Sequence, residues 1–217
     1  MAMSIIHYEH IVPDDTHEHD HYEITFFEDN ILTLLTETPH SVDKWISEIE
    51  RKHRRRRHSL IVGLDVEWRP NRNQNYENPV ATLQLCVGRR CMIFQLLFSP
   101  TMPQSLRNFL RNPAYTFVGV GIKNDVEKLM ENWNLEVANT ADIGALAAEE
   151  YGMRNLRNAG LKGLTRRVLG KELIKPKNVT MSDWDNERLT LDQVQYACID
   201  AFLSYKIGSI LISGNHY

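Results

Sequence analysis

The stretch "IVGLDVEWRP", residues 61–70, places two acidic side chains inside an otherwise apolar strand pattern. Because side chains alternate along a strand, Asp65 and Glu67 share one face of it, opposite Val66. Burying unpaired carboxylates costs several kcal/mol unless a cation, good hydrogen bonds or an open strand end compensates. The stretch therefore predicts either a cation site or an edge strand with solvated acids, and other segments must decide between them.

Length and composition favour one domain. The chain has 217 residues, of which 42% are hydrophobic. We expect residues 1–21 to be a flexible N-terminal lead-in and residues 22–217 to form a single domain. The "HEHDH" run at 17–21 offers metal ligands, but without a packed scaffold adventitious binding is the expected outcome.

Several classes of protein are disfavoured by the sequence. No apolar run approaches the roughly 18 residues of a membrane span, and the start does not resemble a signal peptide. We therefore expect no membrane partner and an intracellular location, nucleus or cytoplasm. Three cysteines without a CxxC pair indicate reduced, partly buried thiols rather than a disulfide framework or a zinc site.

Positive charge is local rather than global. Lys plus Arg number 25 and Asp plus Glu 28, for a net charge of −3, so the whole molecule is not a generic polyanion binder. The strongest basic run is "RKHRRRRHS", residues 51–59, followed by "LTRRVLGKEL", residues 164–173. A solvated surface, a nuclear address and a phosphate contact all remain open for the first run.

The pattern of apolar residues predicts an α/β fold. Residues 22–37 indicate two strands around a turn at 28–30, and 41–53 a helix after Pro39. The strand at 61–68 and a hairpin that turns at 88–90 predict an antiparallel meander. Helices and strands then alternate, with a short strand near 135–139, and the chain beyond is mostly helical. We expect a mixed sheet, an antiparallel meander plus parallel strands, flanked by helices.

A third acid lies at a strand-turn-helix junction. In "FVGVGIKNDVEKL", residues 117–129, Asp125 falls in the first helical turn, where capping is the ordinary explanation. Gly119 and Gly121 begin a dinucleotide-binding fingerprint, but Asn124 stands where its third glycine belongs. Close packing at the turn explains these glycines adequately.

The fourth acid lies on a long final helix. Residues 189–208 have helical spacing, which places Tyr196 and Asp200 on one face, one turn apart. Taken alone, such a pair is most often a hydrogen-bonded surface pair.

Together these segments resemble the DEDD exonuclease superfamily, because a strand DxE, a later helical Asp and a final YxxxD occur in that order. The tyrosine marks the DEDDy branch. The segment "LTRRVLGKELIKPKNVTMSDWDNERLTLDQVQYACIDA" is similar to the exonuclease domain of the Werner syndrome protein and its stand-alone plant relatives. The resemblance covers about residues 22–212. It implies an RNase H-like fold, and since no helicase motif follows, a stand-alone nuclease module is expected.

The resemblance also implies the site and its cofactors. Asp65, Glu67, Asp125 and Asp200 would bind two divalent cations, Mg²⁺ or Mn²⁺, and Tyr196 would orient the attacking water. Asp65 would bridge both ions, Glu67 and Asp200 would complete the water-activating site, and Asp125 would hold the other ion. Oxygen ligands suit these hard cations, which explains carboxylates in place of Cys or His.

The expected function is 3′→5′ exonucleolytic hydrolysis of nucleic acid, with DNA favoured and 5′-mononucleotides released. The expected partner is a single strand or the 3′ end of a duplex, which Trp68, Arg69 and the basic segments near 89–90 and 166–171 would contact. Ribonuclease D-like trimming of RNA and a non-catalytic nucleic-acid-binding role are the alternatives. A homo-oligomer could supply the positive channel that a mildly acidic monomer lacks.

Overall fold

A mixed eight-stranded sheet forms the centre of the computed structural model, which describes residues 3–8, 19–56, 59–71 and 77–214. The strands lie in the order β1-β2-β3-β6-β5-β4-β7-β8. Their bounds are β1 Met3–Tyr8, β2 His19–Phe26, β3 Asp29–Thr36, β4 Leu60–Glu67, β5 Thr82–Val87, β6 Arg90–Gln95, β7 Tyr115–Gly119 and β8 Thr140–Asp142.

The pairing confirms the predicted mixed sheet. Strands β4, β5 and β6 form an antiparallel meander in which Asp65 lies opposite Gln84. Strands β7 and β8 extend the sheet in parallel from β4, and β3 joins β6 in parallel on the other side. The hairpin turns at Gly88, whose φ of 63° is a left-handed conformation that glycine adopts at little cost.

Helices cover both faces of the sheet. They are α1 Pro39–Lys52, α2 Gln104–Leu110, α3 Ile122–Trp133, α4 Ile143–Glu150, α5 Leu161–Leu164, α6 Lys177–Thr180 and α7 Leu191–Ser213. Helices α1, α2 and α3 bury their apolar sides in one core, around Trp45 and Phe109. Helices α4 to α7 form the other, around Trp184 and Phe202. The three cysteines are free, and all three are fully buried where partly buried thiols were expected.

Helix α7 is the central element of the second core. It begins at a capping box in which Thr190 accepts from the Gln193 backbone N–H while the Gln193 side chain accepts from that of Thr190. The helix ends at Gly214 in a left-handed conformation. By length and composition it could cross a membrane, but 67% of its most apolar 18-residue window is buried inside the protein. Its apolar character is therefore what a core helix requires.

Three strands differ from the sequence prediction. Met3–Tyr8, assigned to the lead-in, forms strand β1 and pairs with β2, placing Met3 opposite Phe26; the exposed backbone edge of β2 provides the partners. The short strand expected near 135–139 begins just after that segment, as β8, and within the segment the Ala138 N–H donates to the Leu110 carbonyl oxygen. Strand β2 also begins inside the predicted lead-in, because the last three residues of the "HEHDH" run, 19–21, belong to it, while residues 17 and 18 lie outside the described residues.

Candidate active site

The acids of β4 face helix α7 across a very short distance. Gly63 lies on the same face of the strand as Asp65 and Glu67, and a Cβ added to it would stand 2.0 Å from the Ala201 carbonyl oxygen. A side chain at this position would therefore force α7 away from the sheet. The absence of one lets Asp200, the neighbour of Ala201, approach the strand acids.

Three of the predicted acids form one cluster. Carboxylate oxygens of Asp65, Glu67 and Asp200 all lie within 4.8 Å of one another. Asp125, from the first turn of α3, lies outside that cluster but lines the same cavity of about 450 Å³, as does Tyr196. The structure thus brings all five predicted site residues to one cavity at the carboxyl end of β4.

Burial and mutual repulsion shift the acids toward their neutral forms. Burial raises the pKa of Asp65 well above its usual range, and the charges of Asp200, Glu67 and Asp125 raise it further. The pKa of Glu67 rises for the same reasons, burial first and Asp200 second. Burial also raises the pKa of Asp200, partly offset by Lys175. Lys175 therefore offsets only part of the effect of burial and repulsion on these acids.

Asp125 has a separate neighbour that the sequence analysis missed. Burial, and then the charge of Asp142, raises the pKa of Asp125 from 3.8 to about 7. Asp142 itself accepts from the Gly121 N–H at 2.6 Å and from the Ala145 N–H at 2.9 Å. Because backbone donors satisfy its oxygens, Asp142 caps α4 and fixes the turn that carries Asp125.

The arrangement fits a divalent cation. The Asp65 Oδ2 atom is buried and accepts no hydrogen bond from the described part of the chain. An orphaned buried acceptor is costly, and here it belongs to a cluster of hard oxygen donors. Asp65, Glu67 and Asp200 can together hold a metal ion, and Asp125 can contribute from across the cavity.

Tyr196 is a buried part of this site and not a member of a surface pair. The residue is 8% exposed, and its ring packs against Trp184 with centroids 5.9 Å apart. The Thr180 hydroxyl donates to the Tyr196 oxygen at 3.1 Å. Burial, and then the charge of Asp200, raises the tyrosine's pKa. Tyr196 therefore keeps its proton at neutral pH.

Lys175 is the functional candidate that the sequence analysis missed. It follows the basic segment at 164–173 and lines the cavity, where its Nζ pairs with Asp200 Oδ2 and lies 4.7 Å from the centre of the Tyr196 ring. No periodicity or motif distinguishes it from the other lysines of its segment, so local sequence carries no signal for this role.

Of the residues predicted to contact the substrate, Trp68 lines the cavity, whereas several basic residues are paired with acids. Trp68 lines the cavity, with Lys128 5.0 Å above its ring. Arg69, however, pairs with Asp183 at 3.0 Å and Asp185 at 2.7 Å, so its charge is already compensated. Other predicted contacts are paired as well: Arg90 with Glu48, Arg166 with Glu172 and Lys171 with Glu28.

Comparison with known proteins agrees with this geometry. A family model described as 3′–5′ exonuclease matches residues 36–213. The chain belongs to the 3′–5′ exonuclease family. It is 33% identical over 152 residues to a 3′–5′ exonuclease of Arabidopsis thaliana, covering 70% of this chain and 52% of that protein. It is 34% identical over 143 residues to the mouse bifunctional 3′–5′ exonuclease/ATP-dependent helicase WRN, covering 65% of this chain and 10% of that protein.

Solved structures show the same fold. Escherichia coli RNase D, an exoribonuclease involved in structured RNA processing, matches with a TM-score of 0.66 at 23% identity, covering 82% of this chain and 44% of that one. The Aedes aegypti Nibbler exonuclease domain also gives 0.66, at 17% identity, with 82% and 86% covered. The fold is thus RNase H-like, as the resemblance implies.

Proposed function

We propose that this family member is a DEDDy-type, metal-dependent 3′→5′ exonuclease that hydrolyses phosphodiester bonds, favours DNA and releases 5′-mononucleotides. The observation that carries the proposal is the cluster of Asp65, Glu67 and Asp200, whose oxygens lie within 4.8 Å of one another beside a cavity that Tyr196 also lines. Loss of one acid would be expected in a relative that binds without cutting, and the full set is present.

The four acids are proposed to hold two Mg²⁺ or Mn²⁺ ions. When bound, these ions supply positive charge at the attacking and leaving oxygens of the phosphodiester. Asp65 would contribute to both ions, Glu67 and Asp200 would complete one site, and Asp125 would serve the other. The raised pKa values of the acids are consistent with this role, because bound cations favour the ionised forms.

Tyr196 is proposed to orient the attacking water. The Thr180 hydroxyl and the packing against Trp184 fix the position of its oxygen, which restricts the geometry available to a water molecule. A tyrosine whose pKa is raised is a poor general base at neutral pH, so it acts through hydrogen bonding and not through proton abstraction.

Trp68 is proposed to stack on a base near the scissile end, since its ring lines the cavity wall beside Glu67. We also propose an intracellular location, which the three buried free thiols support. The sugar preference depends on contacts at the 2′ position, which the acidic cluster does not determine. Ribonuclease D-like RNA trimming is therefore the alternative activity, with the fold similarity to RNase D in its favour.

The test uses matched DNA and RNA oligonucleotides, each labelled at the 5′ end, at one salt concentration. With Mn²⁺ the expected result is a ladder of products shortened from the 3′ end of DNA, absent with EDTA and absent for Asp65→Asn. Shortening of RNA alone would favour the ribonuclease alternative. Binding without EDTA-sensitive shortening of either strand would overturn the enzymatic proposal and support a binding role.

A further inference from the structure

The acidic cavity contains a cation of its own. Among the described residues that line it, Lys175 is the one basic side chain. Its ammonium pairs with the carboxylate of Asp200. The Lys175 side chain is 28% exposed and the Asp200 side chain 8%. The charge of Lys175 also acts on Asp65 and Glu67, lowering the pKa of both acids against the effect of burial. One ammonium thus serves as counter-ion to three carboxylates.

An ammonium and a divalent cation compete for the same oxygens. Asp200 Oδ2 accepts from Lys175 Nζ, while Asp200 also belongs to the cluster whose oxygens can hold a metal ion. Two positive charges next to one carboxylate repel each other, and each needs the same lone pairs. The ion pair of Lys175 with Asp200 therefore has to loosen before Asp200 becomes a full metal ligand.

The local structure allows the ammonium to leave. Residues 170–176 lie outside any helix or strand, between Gly170 in a left-handed conformation and the start of α6. Leu173 is buried in the core and anchors the backbone of this segment, whereas Ile174 is 67% exposed, so the ammonium can leave by side-chain rotation alone. A lysine has four rotatable side-chain bonds and can move its ammonium several ångströms without any backbone change.

We propose that Lys175 is the resident counter-ion of the metal-free site, competing with the divalent ion for Asp200 and giving way when the ion binds. This inference rests on the proposed metal site and deepens it. Lys175 thus has a positioning role, because its ammonium holds the strand acids and Asp200 together until the ion arrives. The free energy needed to displace this ammonium reduces the net binding free energy of the ion.

The test measures Mn²⁺ affinity by isothermal titration calorimetry at mildly alkaline pH, for the wild type and for Lys175→Met. Removal of the competitor should tighten Mn²⁺ binding about tenfold, the size of one charge-assisted hydrogen bond. The metal-free variant should also melt at a lower temperature than the wild type, because its acids have lost their counter-ion, and saturating Mn²⁺ should narrow that difference.

Lys206→Met is the matched control. Lys206 also pairs with an aspartate, Asp29, but it does not line the cavity. Lys206→Met also removes one lysine–aspartate ion pair. The Mn²⁺ affinity of this variant should stay within about twofold of wild type, within the scatter of distant substitutions. A gain in affinity as large as that of Lys175→Met would mean that net charge alone, and not competition at Asp200, is responsible.

Unchanged or weaker Mn²⁺ binding by Lys175→Met, with wild-type binding intact, would overturn the inference while leaving the proposed function in place. A wild type that binds no Mn²⁺ would overturn both. If the variant does not fold, NMR of lysine side chains in the wild type provides the readout, with Lys175→Arg identifying the signal. Diamagnetic Mg²⁺ should shift the Lys175 ammonium resonance, and a resonance that stays in place at saturation would overturn the inference.

Discussion

The two ends of strand β4 carry opposite charges in very different settings. At the carboxyl end, Asp65 and Glu67 are half-buried, face α7 and form a cluster with buried Asp200. At the amino end, α1 terminates in exposed Arg51 and Lys52, followed by exposed Arg54 and Arg55. From Leu60 to Asp65 the strand spans about 17 Å, at roughly 3.3 Å per residue. Basic and acidic residues that are close in sequence are therefore held apart by a strand.

Burial distinguishes these two regions. Arg51, Arg54 and Arg55 form no ion pair within the described part of the chain, and because they are exposed, water solvates their charges at little cost. The pKa of Lys52 is nevertheless lowered, first by desolvation and then by the positive charges of Arg90 and Arg51. At the acidic end, where burial removes water from the carboxylates, the pKa of Asp65 is shifted much further from its usual value. A chemical site forms where charge is buried, whereas a run of charge in sequence marks a surface.

The largest effect is expected at the acidic end. Asp65→Asn keeps the side-chain shape but removes the charge of the central ligand, so cleavage should fall about a thousandfold or more. The metal-free variant should melt at a higher temperature than the wild type, because repulsion within the cluster is relieved. Cleavage rate and thermal melting with EDTA check both parts. Activity within tenfold of wild type would remove Asp65 from the proposed metal site.

Tyr196→Phe should lower kcat about a hundredfold with little change in KM, as expected for a group that acts mainly in the transition state. Single-turnover cleavage of a 3′-recessed duplex measures it. Thr180→Val is the companion variant, since it removes the hydroxyl that positions the tyrosine oxygen, and it should show a smaller loss in the same direction. A Tyr196→Phe rate within about threefold of wild type, the scatter of ordinary substitutions, would limit the tyrosine to packing.

The raised pKa values of the acids predict how metal-free stability and Mn²⁺ affinity depend on pH. For Asp125 the folded value of about 7 lies above the ordinary 3.8, so between these values the folded protein binds more protons than the unfolded chain. Metal-free stability should therefore fall as pH rises through this window and level off above it. Mn²⁺ affinity should change in the opposite direction, by up to about tenfold per pH unit for each proton released.

Melting curves at several pH values, with EDTA and with saturating Mn²⁺, measure this dependence. The Asp125→Asn variant is the control and should show a shallower decline in metal-free stability. A metal-free stability that rises steadily from pH 4 to 7 would contradict the raised pKa values on which the contrast between the two ends depends.

The basic end should give the smallest effect. Arg54→Gln with Arg55→Gln should weaken oligonucleotide binding several-fold and reduce its dependence on salt, by about 0.7 in the log–log slope for each phosphate of a single strand that the variant no longer neutralises. The control Arg111→Gln with Lys123→Gln removes the same charge from other exposed positions. Equal effects of both pairs would indicate net charge, and no effect of either would assign the basic run to solvation or targeting.

Sequence reasoning worked where a pattern has a local cause. The alternation around Asp65 and Glu67 placed both acids on one face, and the i, i+4 spacing did the same for Tyr196 and Asp200. The roles of Lys175 and Asp142 could not be predicted from sequence, because they depend on which segments the fold brings to the cavity. Strand β1 was not predicted because its formation depends on the available edge of β2. The role of Gly63 was not predicted either, because its close contact is with α7, a helix distant in sequence.

An anomalous difference map from a crystal grown with MnCl₂ would show directly whether the clustered acids bind divalent metal ions. Strong peaks are expected beside Asp65, one between Glu67 and Asp200 and a second toward Asp125, about 4 Å apart as in two-metal sites. Sulfur peaks at the buried cysteines provide the internal reference. A map that shows those sulfur peaks but no manganese among the three clustered carboxylates would contradict metal binding by these acids.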